Sequence, residues 1–269
     1  MLPATLAPME VIIQPNQEAA AALVSRIVTR ELRTNPNLVL GLATGQTMEC
    51  VYRHFVLLHQ TEKLDFSLCR TFNLDEYVGL FPSDPNSYRY YMNHHLFRHV
   101  NIDPRNTYLP NGLANDLDEE CRRYEATIKR FGGIDLQLLG IGKAGHIGFN
   151  EPLSALRSRT RVKALTPTTL KQNSAPFGGE EHMPRRAITM GVGTILESRR
   201  CLLLATGESK AEVIAKAVEG PITSMISATA LQLHSRVTVI VDEAAAGKLV
   251  EKDYYRWIFA NEPEWEEYR

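Results

Sequence analysis

The sequence predicts an α/β fold in which a parallel sheet is covered on both faces by helices. Three observations predict it: short apolar segments with no polar face, amphipathic helical stretches between them, and glycine-bearing turns where one gives way to the other. Residues 11–13 open the chain as a strand, and Ala20, Leu23, Val24, Ile27, Val28 and Leu32 then fall on one helical face. Residues 38–40 form a second strand, residues 41–47 a turn, and residues 48–59 a second helix. Residues 71–74 read as a strand, followed by a polar loop with Pro82 and Pro85 and by helices near residues 87–99 and 116–130. Residues 134–141 are a continuous apolar strand. A long irregular stretch separates it from a buried strand at 201–205, a helix at 209–218 and a last strand at 237–241.

Of 269 residues, 44% are hydrophobic and 23% charged, with 14 Pro and 17 Gly, which excludes a disordered or fibrous chain. A chain of this size buries roughly three quarters of the surface it exposes when unfolded, enough for one domain over residues 1–269 without disulfides or a structural metal. Thirty Lys plus Arg against 31 Asp plus Glu leave a net charge of −1. No overall field therefore attracts nucleic acid or an anionic membrane, and an anionic ligand needs a local site. Cys50, Cys69, Cys121 and Cys201 form no C-x-x-C pair, which argues against a zinc site and against a secreted disulfide framework. Residues 1–10 lack a basic start followed by an apolar run, and no segment approaches the roughly 20 apolar residues of a membrane span. A cytoplasmic protein is expected.

Parallel sheets bind ligands beyond the carboxyl ends of their strands, and four segments lie there: residues 41–47, 75–77, 140–151 and 206–210. In the first, glycine, threonine and the exposed N–H groups of a helix start are suited to phosphate, although the pattern is neither a Walker A loop nor G-x-G-x-x-G; taken alone, a plain Thr-capped turn explains it better. In the second, Asp75 and Glu76 diverge, so one of them faces the site. Asp75 there acts as a general base or caps a helix. In the third, His146 sits in a glycine-rich turn with Glu151 five residues on, so that the carboxylate can orient the imidazole while its other nitrogen moves protons. His95 and His99 lie one helical turn apart beside His94, but without H-E-x-x-H an exposed helix face explains them better than a metal. The run from Arg157 through Arg159 and Arg161 to Lys163 reads as a solvated face, an anion site, or a contact for a neighbouring subunit's carboxylates.

With these residues in view, the chain resembles the glucosamine-6-phosphate deaminase (isomerase) family along nearly its whole length. The resemblance rests on Gly41-Leu42-Ala43-Thr44-Gly45, on the run from Thr71 through Asp75-Glu76-Tyr77 to Leu80, on Gly145-His146-Ile147 with Phe149-Asn150-Glu151-Pro152, and on Ser158-Arg159-Thr160-Arg161. It continues through the run from Ala187 to Thr194, Gly207-Glu208-Ser209-Lys210-Ala211, Val218-Glu219-Gly220 and Ala230-Leu231-Gln232-Leu233-His234. It implies a Rossmann-like, doubly wound fold, shared with 6-phosphogluconolactonases. It also implies conversion of glucosamine 6-phosphate to fructose 6-phosphate and ammonia, with no metal and no organic cofactor. By the same resemblance Asp75 is the enolisation base, and His146 with Glu151 opens the sugar ring. Ala43, Thr44, Gly45, Gln46, Thr47, Gly145 and Lys210 bind substrate, residues 44–47 and Lys210 taking the phosphate. Ser154, Arg161 and Lys163 match positions that bind an activator, N-acetylglucosamine 6-phosphate, in allosteric members; assembly as a homo-oligomer is left open.

The chain departs from the family pattern at Ala144, where many members carry an aspartate, and at Ala175, where bacterial members often carry a phosphate-binding arginine. Lys210 is then expected to bear more of the phosphate charge, or Arg185 to substitute. Alternatives to an active deaminase are a sugar-phosphate sensor that kept the pocket and lost catalysis, an enzyme of a related amino-sugar phosphate, and, less favoured, a 6-phosphogluconolactonase.

Overall fold

The computed structural model describes residues 9–269; residues 1–8, which carry most of the expectation about a targeting signal, lie outside them. In chain order the elements are β1 (Glu10–Gln14), α1 (Gln17–Thr34), β2 (Val39–Leu42), α2 (Gln46–Glu62), β3 (Arg70–Asn73), β4 (Asp75–Tyr77), α3 (Tyr88–Met92), β5 (Thr107–Tyr108), α4 (Leu117–Arg130) and β6 (Leu136–Leu139). There follow β7 (Arg161–Ala164), α5 (Pro167–Asn173), β8 (Arg186–Thr189), α6 (Val192–Leu196), β9 (Arg200–Ala205), α7 (Ala211–Glu219), β10 (Val237–Asp242) and α8 (Lys252–Asn261). Among the described residues no helix is long and apolar enough to cross a membrane.

Seven strands form one parallel sheet in the order β1-β10-β9-β6-β2-β3-β5. Every residue of β2, β6, β9 and β10 is buried, because helices cover both faces. The chain steps outward from β2 through β3 to β5, returns to β6, and steps the other way through β9 to β10. The two windings therefore part between β2 and β6, and at such a switch point the loops diverge and leave a crevice. That crevice is where the turns after β2, β6 and β9 meet.

The irregular stretch expected between residues 142 and 200 is in fact structured. It holds β7, α5, β8 and α6, and β7 and β8 join β4 in a second, antiparallel sheet of order β4-β8-β7. Only Leu74 separates β3 from β4: its N–H donates to Leu42 O (3.1 Å), and its carbonyl accepts from the Met190 N–H (2.7 Å). The expected 71–74 strand thus ends at Asn73, and the chain enters the second sheet at Asp75. A small core of Tyr77, Phe149, Leu165, Leu170, Met183 and Ala187 backs that sheet. The helix expected over residues 87–99 is α3 followed by a π-helical turn, Asn93–Phe97, and β5 and α8 were not foreseen.

Candidate active site

The turn after β2 carries Ala43, Thr44 and Gly45. Gly45 has a φ of +110°, a conformation few other residues adopt, and stands as the N-cap of α2 with no side chain accepting from the helix's first N–H groups. The Thr-capped turn is therefore corrected: the N–H groups of Gln46 and Thr47 head a 17-residue helix with its positive dipole end free for an anion. The neighbouring α3 fixes this turn from the side, because the Tyr91 hydroxyl donates to Gly45 O (2.9 Å) and the Tyr88 hydroxyl reaches the Thr44 side chain.

Lys210 ends the short turn after β9, and its Nζ donates to Ile141 O (2.6 Å), which carries it across to the loop after β6. Burial lowers the pKa of Lys210, and the charge of Lys143 lowers it further. Two lysines that repel each other beside a bare helix N-terminus form a cradle that a dianion would relieve. Lys143 was passed over in the sequence although it stands within the glycine-rich run. Arg185 stands just before β8. It is exposed beyond the Arg186 end of β8, whereas Asp75 pairs with Thr189 at the other end, roughly 13 Å away at strand rise.

Asp75 and Glu76 diverge as expected, and their division of labour is plain. Glu76, not Asp75, joins the N-cap residue Ser87 in capping α3: its carboxylate accepts from the N–H groups of Tyr88 (3.0 Å) and Arg89 (2.9 Å) at the start of the helix, and from Tyr77 (2.8 Å). Asp75 is 5% exposed and faces the loop after β6. Burial, helped by the Glu76 charge and opposed by the Phe149 N–H, pushes its pKa up to about 8. Gly148, with a φ of +55°, makes this approach possible, since a Cβ there would lie 2.9 Å from Thr189 Oγ1 and 3.3 Å from Asp75 Oδ2. The result is a buried carboxyl with little holding its charge, poised to exchange protons near neutrality.

His146 lies on the same loop. A Cβ on Gly142 would stand 2.1 Å from its Nε2, so the ring rests directly on that glycine. His146 Nδ1 is 3.3 Å from Glu151 Oε2, and neither atom has another partner among the described residues. The contact is misaligned for a hydrogen bond, as those of empty catalytic sites often are. Burial raises the Glu151 pKa, but the close approach of His146, the Thr169 side chain and the Thr166 N–H outweigh it and hold the carboxyl at about 2. Glu151 is thus an ionised carboxylate beside the imidazole, and Asp75 stands on a separate wall. Asn150 between them is locked, its Nδ2 donating to Ile147 O (2.8 Å) and Met190 O (2.9 Å). Tyr88, which sequence reasoning missed, lines the same region: its hydroxyl lies 3.3 Å from that of Tyr77 and its ring stacks on Phe149. Nothing in its sequence neighbourhood marks it.

The remaining expected residues lie to one side. Arg161 donates to Asn150 Oδ1 (2.8 Å) and to Ser154 Oγ (3.0 Å), and Lys163 shares its face of β7 two residues on. Arg159 is exposed and held by Glu125 and Glu197, so this part of the basic run is a solvated, ion-paired face and not a free anion site. His94, His95 and His99 form no metal-compatible group among the described residues, and the π turn breaks the helical spacing on which that reading depended.

A doubly wound sheet with an anion cradle and two separate proton-transfer groups at its switch point defines an α/β enzyme of phosphorylated small molecules. The chain belongs to the glucosamine-6-phosphate isomerase/6-phosphogluconolactonase family, whose model matches residues 14–240. It is 49% identical over 250 residues to a glucosamine-6-phosphate deaminase of Hahella chejuensis, covering 93% of this chain and 95% of that one. A solved structure of a monomeric glucosamine-6-phosphate deaminase superposes with a TM-score of 0.88 at 47% identity, over 89% of this chain and all of the other. The 6-phosphogluconolactonase of Trypanosoma cruzi shares the fold, with a TM-score of 0.73 at 20% identity over 91% of this chain and 98% of that one.

Proposed function

We propose that the chain is a glucosamine-6-phosphate deaminase, catalysing aldose–ketose isomerisation and deamination of glucosamine 6-phosphate to fructose 6-phosphate and ammonia in a single domain over residues 1–269. The observation that carries this is the pairing of a buried, weakly ionised Asp75 with a separate His146–Glu151 unit across one crevice. The reaction needs two proton-transfer stations, because ring opening and enolisation act on different atoms. His146, oriented by Glu151, takes the proton of the anomeric hydroxyl as the ring oxygen gains one. Asp75 then removes the C2 proton of the open-chain aldehyde and delivers a proton to C1, leaving a C2 iminium. Water adds there and ammonia departs. The amine enters as a cation next to Asp75, which favours the ionised carboxylate the step requires. The phosphate sits on the Thr44–Gly45–Gln46–Thr47 turn between Lys210 and Lys143, with Ala43 and Gly145 closing the walls.

The identity of 49% with a deaminase against 20% with a lactonase supports this reading over a 6-phosphogluconolactonase. No observation favours a sensor, since Asp75, His146 and Glu151 are all in place. The four cysteines are free thiols, in keeping with a reducing cytoplasm. Regulation through Ser154, Arg161 and Lys163 is part of the proposal: Arg161 is bonded to Asn150, the neighbour of Glu151, so a ligand that drew it away would loosen the active-site loop.

The test is ammonium release from glucosamine 6-phosphate, followed as a function of pH. Because Asp75 must be ionised to accept a proton, kcat/KM should fall as pH drops below about 8. Absence of ammonium at any pH sinks the reading, and release with a profile flat from pH 6 to 9 removes Asp75 as the free enzyme's titrating base. Phosphate binding has its own check. Lys210→Ala should raise KM roughly 10- to 100-fold, the worth of a charge-assisted hydrogen bond, and Lys143→Ala, on the exposed rim, by about tenfold or less. An unchanged KM in both variants would mean that another cation holds the phosphate.

A further inference from the structure

We propose that Glu18, Cys50 and His54 form a binding site for a divalent cation of the zinc class, tying α1 to α2. The site is independent of the deaminase reading and lies outside the crevice. Cys50 and His54 are four residues apart on α2, so they project from one face a turn apart, and Glu18 stands in the first turn of α1, which packs against α2. Cys50 Sγ lies 3.0 Å from Glu18 Oε2, and His54 Nε2 lies 3.0 Å from Glu18 Oε1. The three donor atoms all fall within 4.8 Å of one another.

Tetrahedral zinc, with bonds of roughly 2.0 to 2.3 Å, sets its donors about 3.3 to 3.8 Å apart, so small rotations of these side chains would close the site. The donor set itself selects the ion. A thiolate, an imidazole and one carboxylate suit zinc or a similar borderline ion, whereas magnesium and calcium require oxygen ligands throughout. His54 Nε2 is buried and makes no well-formed hydrogen bond despite its nearness to Glu18, so the protein alone leaves it unsatisfied. Glu18 is exposed and opens the fourth position to water, giving three protein ligands and one solvent ligand.

Binding must displace two competitors. The Cys50 thiol is protonated at neutral pH, its pKa raised by burial and by Glu18, so forming the metal–sulfur bond releases one proton to solvent. Arg53 lies 3.8 Å from Glu18, a loose and exposed contact that a divalent ion outcompetes. Gln46 and Thr47 head the same helix one turn before Cys50, so the metal would brace the helix that presents the anion-binding N–H groups.

Untagged, metal-stripped protein titrated with Co(II) tests the site. The expected result is one equivalent bound with a thiolate-to-cobalt charge-transfer band, displaced by one equivalent of Zn(II), which also raises Tm. Cys50→Ser should abolish the band. Cys50→Ser and His54→Gln should each weaken Zn(II) binding by more than the roughly 10- to 100-fold that loss of an outer-shell partner costs. His95→Ala should bind as the parent does, and its folded state controls for the other histidine cluster. No thiolate band in the parent, or Zn(II) binding unchanged in folded Cys50→Ser and His54→Gln, would overturn the proposal.

Discussion

Asp75→Asn is expected to lower turnover by about 10² to 10⁴-fold or more, roughly 3 to 5 kcal/mol of barrier, while phosphate binding stays intact. The amide keeps the shape of the carboxyl against Gly148 and Thr189 but cannot accept the C2 proton. Exchange of solvent deuterium into C1 of fructose 6-phosphate is the sensitive measure, because it reports proton transfer without deamination. Retained exchange in the variant would rule Asp75 out as the base. A second readout separates chemistry from architecture. Asp75 has a pKa of about 8 in the folded chain against 3.8 when unperturbed, so the folded state holds its proton more tightly than the unfolded one. Its contribution to stability is therefore full below about pH 4 and is lost as pH rises through 8. Asn carries no such loss, and the variant should unfold at a higher temperature than the parent at pH 8.5, with the gap shrinking toward pH 5. A variant that is inactive yet more stable cannot owe its inactivity to misfolding.

How far this site was legible in the sequence depended on which interactions wrote it. The parallel strands were visible because burial on both faces demands runs such as those in β9 and β10, and α1 because Leu23, Val24, Ile27 and Val28 repeat at helical spacing. The second sheet was not. β7 reads Arg-Val-Lys-Ala with no buried position, and β4 and β8 have three and four residues, so their pairing is decided by contacts about 110 residues apart in the chain. No local pattern records that. The same limit governs the site. His146 and Glu151 are five residues apart and could be coupled by inspection, whereas Gly148 meeting Asp75 and Lys143 repelling Lys210 depend on the switch-point geometry. The different surroundings of Asp75 and Glu76 have a similar cause. Which carboxylate caps a helix was settled by where α3 begins relative to β4, and the two are joined by a ten-residue loop.

His146→Gln should cost far more on cyclic glucosamine 6-phosphate than on an open-chain analogue, because ring opening is the step assigned to the imidazole. Glutamine can still hydrogen-bond from the same position over Gly142 but cannot take and return a proton. A loss on the order of 10² to 10⁴-fold on the cyclic substrate, against a much smaller one on the open chain, is the expected pattern. Glu151→Gln should reproduce it in weaker form. Its carboxylate is held ionised beside Nδ1 and has no proton to give at neutral pH, so its removal loses orientation and charge stabilisation rather than the transfer itself. Ala144 sharpens the expectation: with no carboxylate at that position, Glu151 is the carboxylate beside the ring, and the two variants combined should cost little more than His146→Gln alone. Equal losses on cyclic and open-chain substrates would take ring opening away from His146. A harmless Glu151→Gln would show that the imidazole works without the carboxylate that the loop after β6 brings to it.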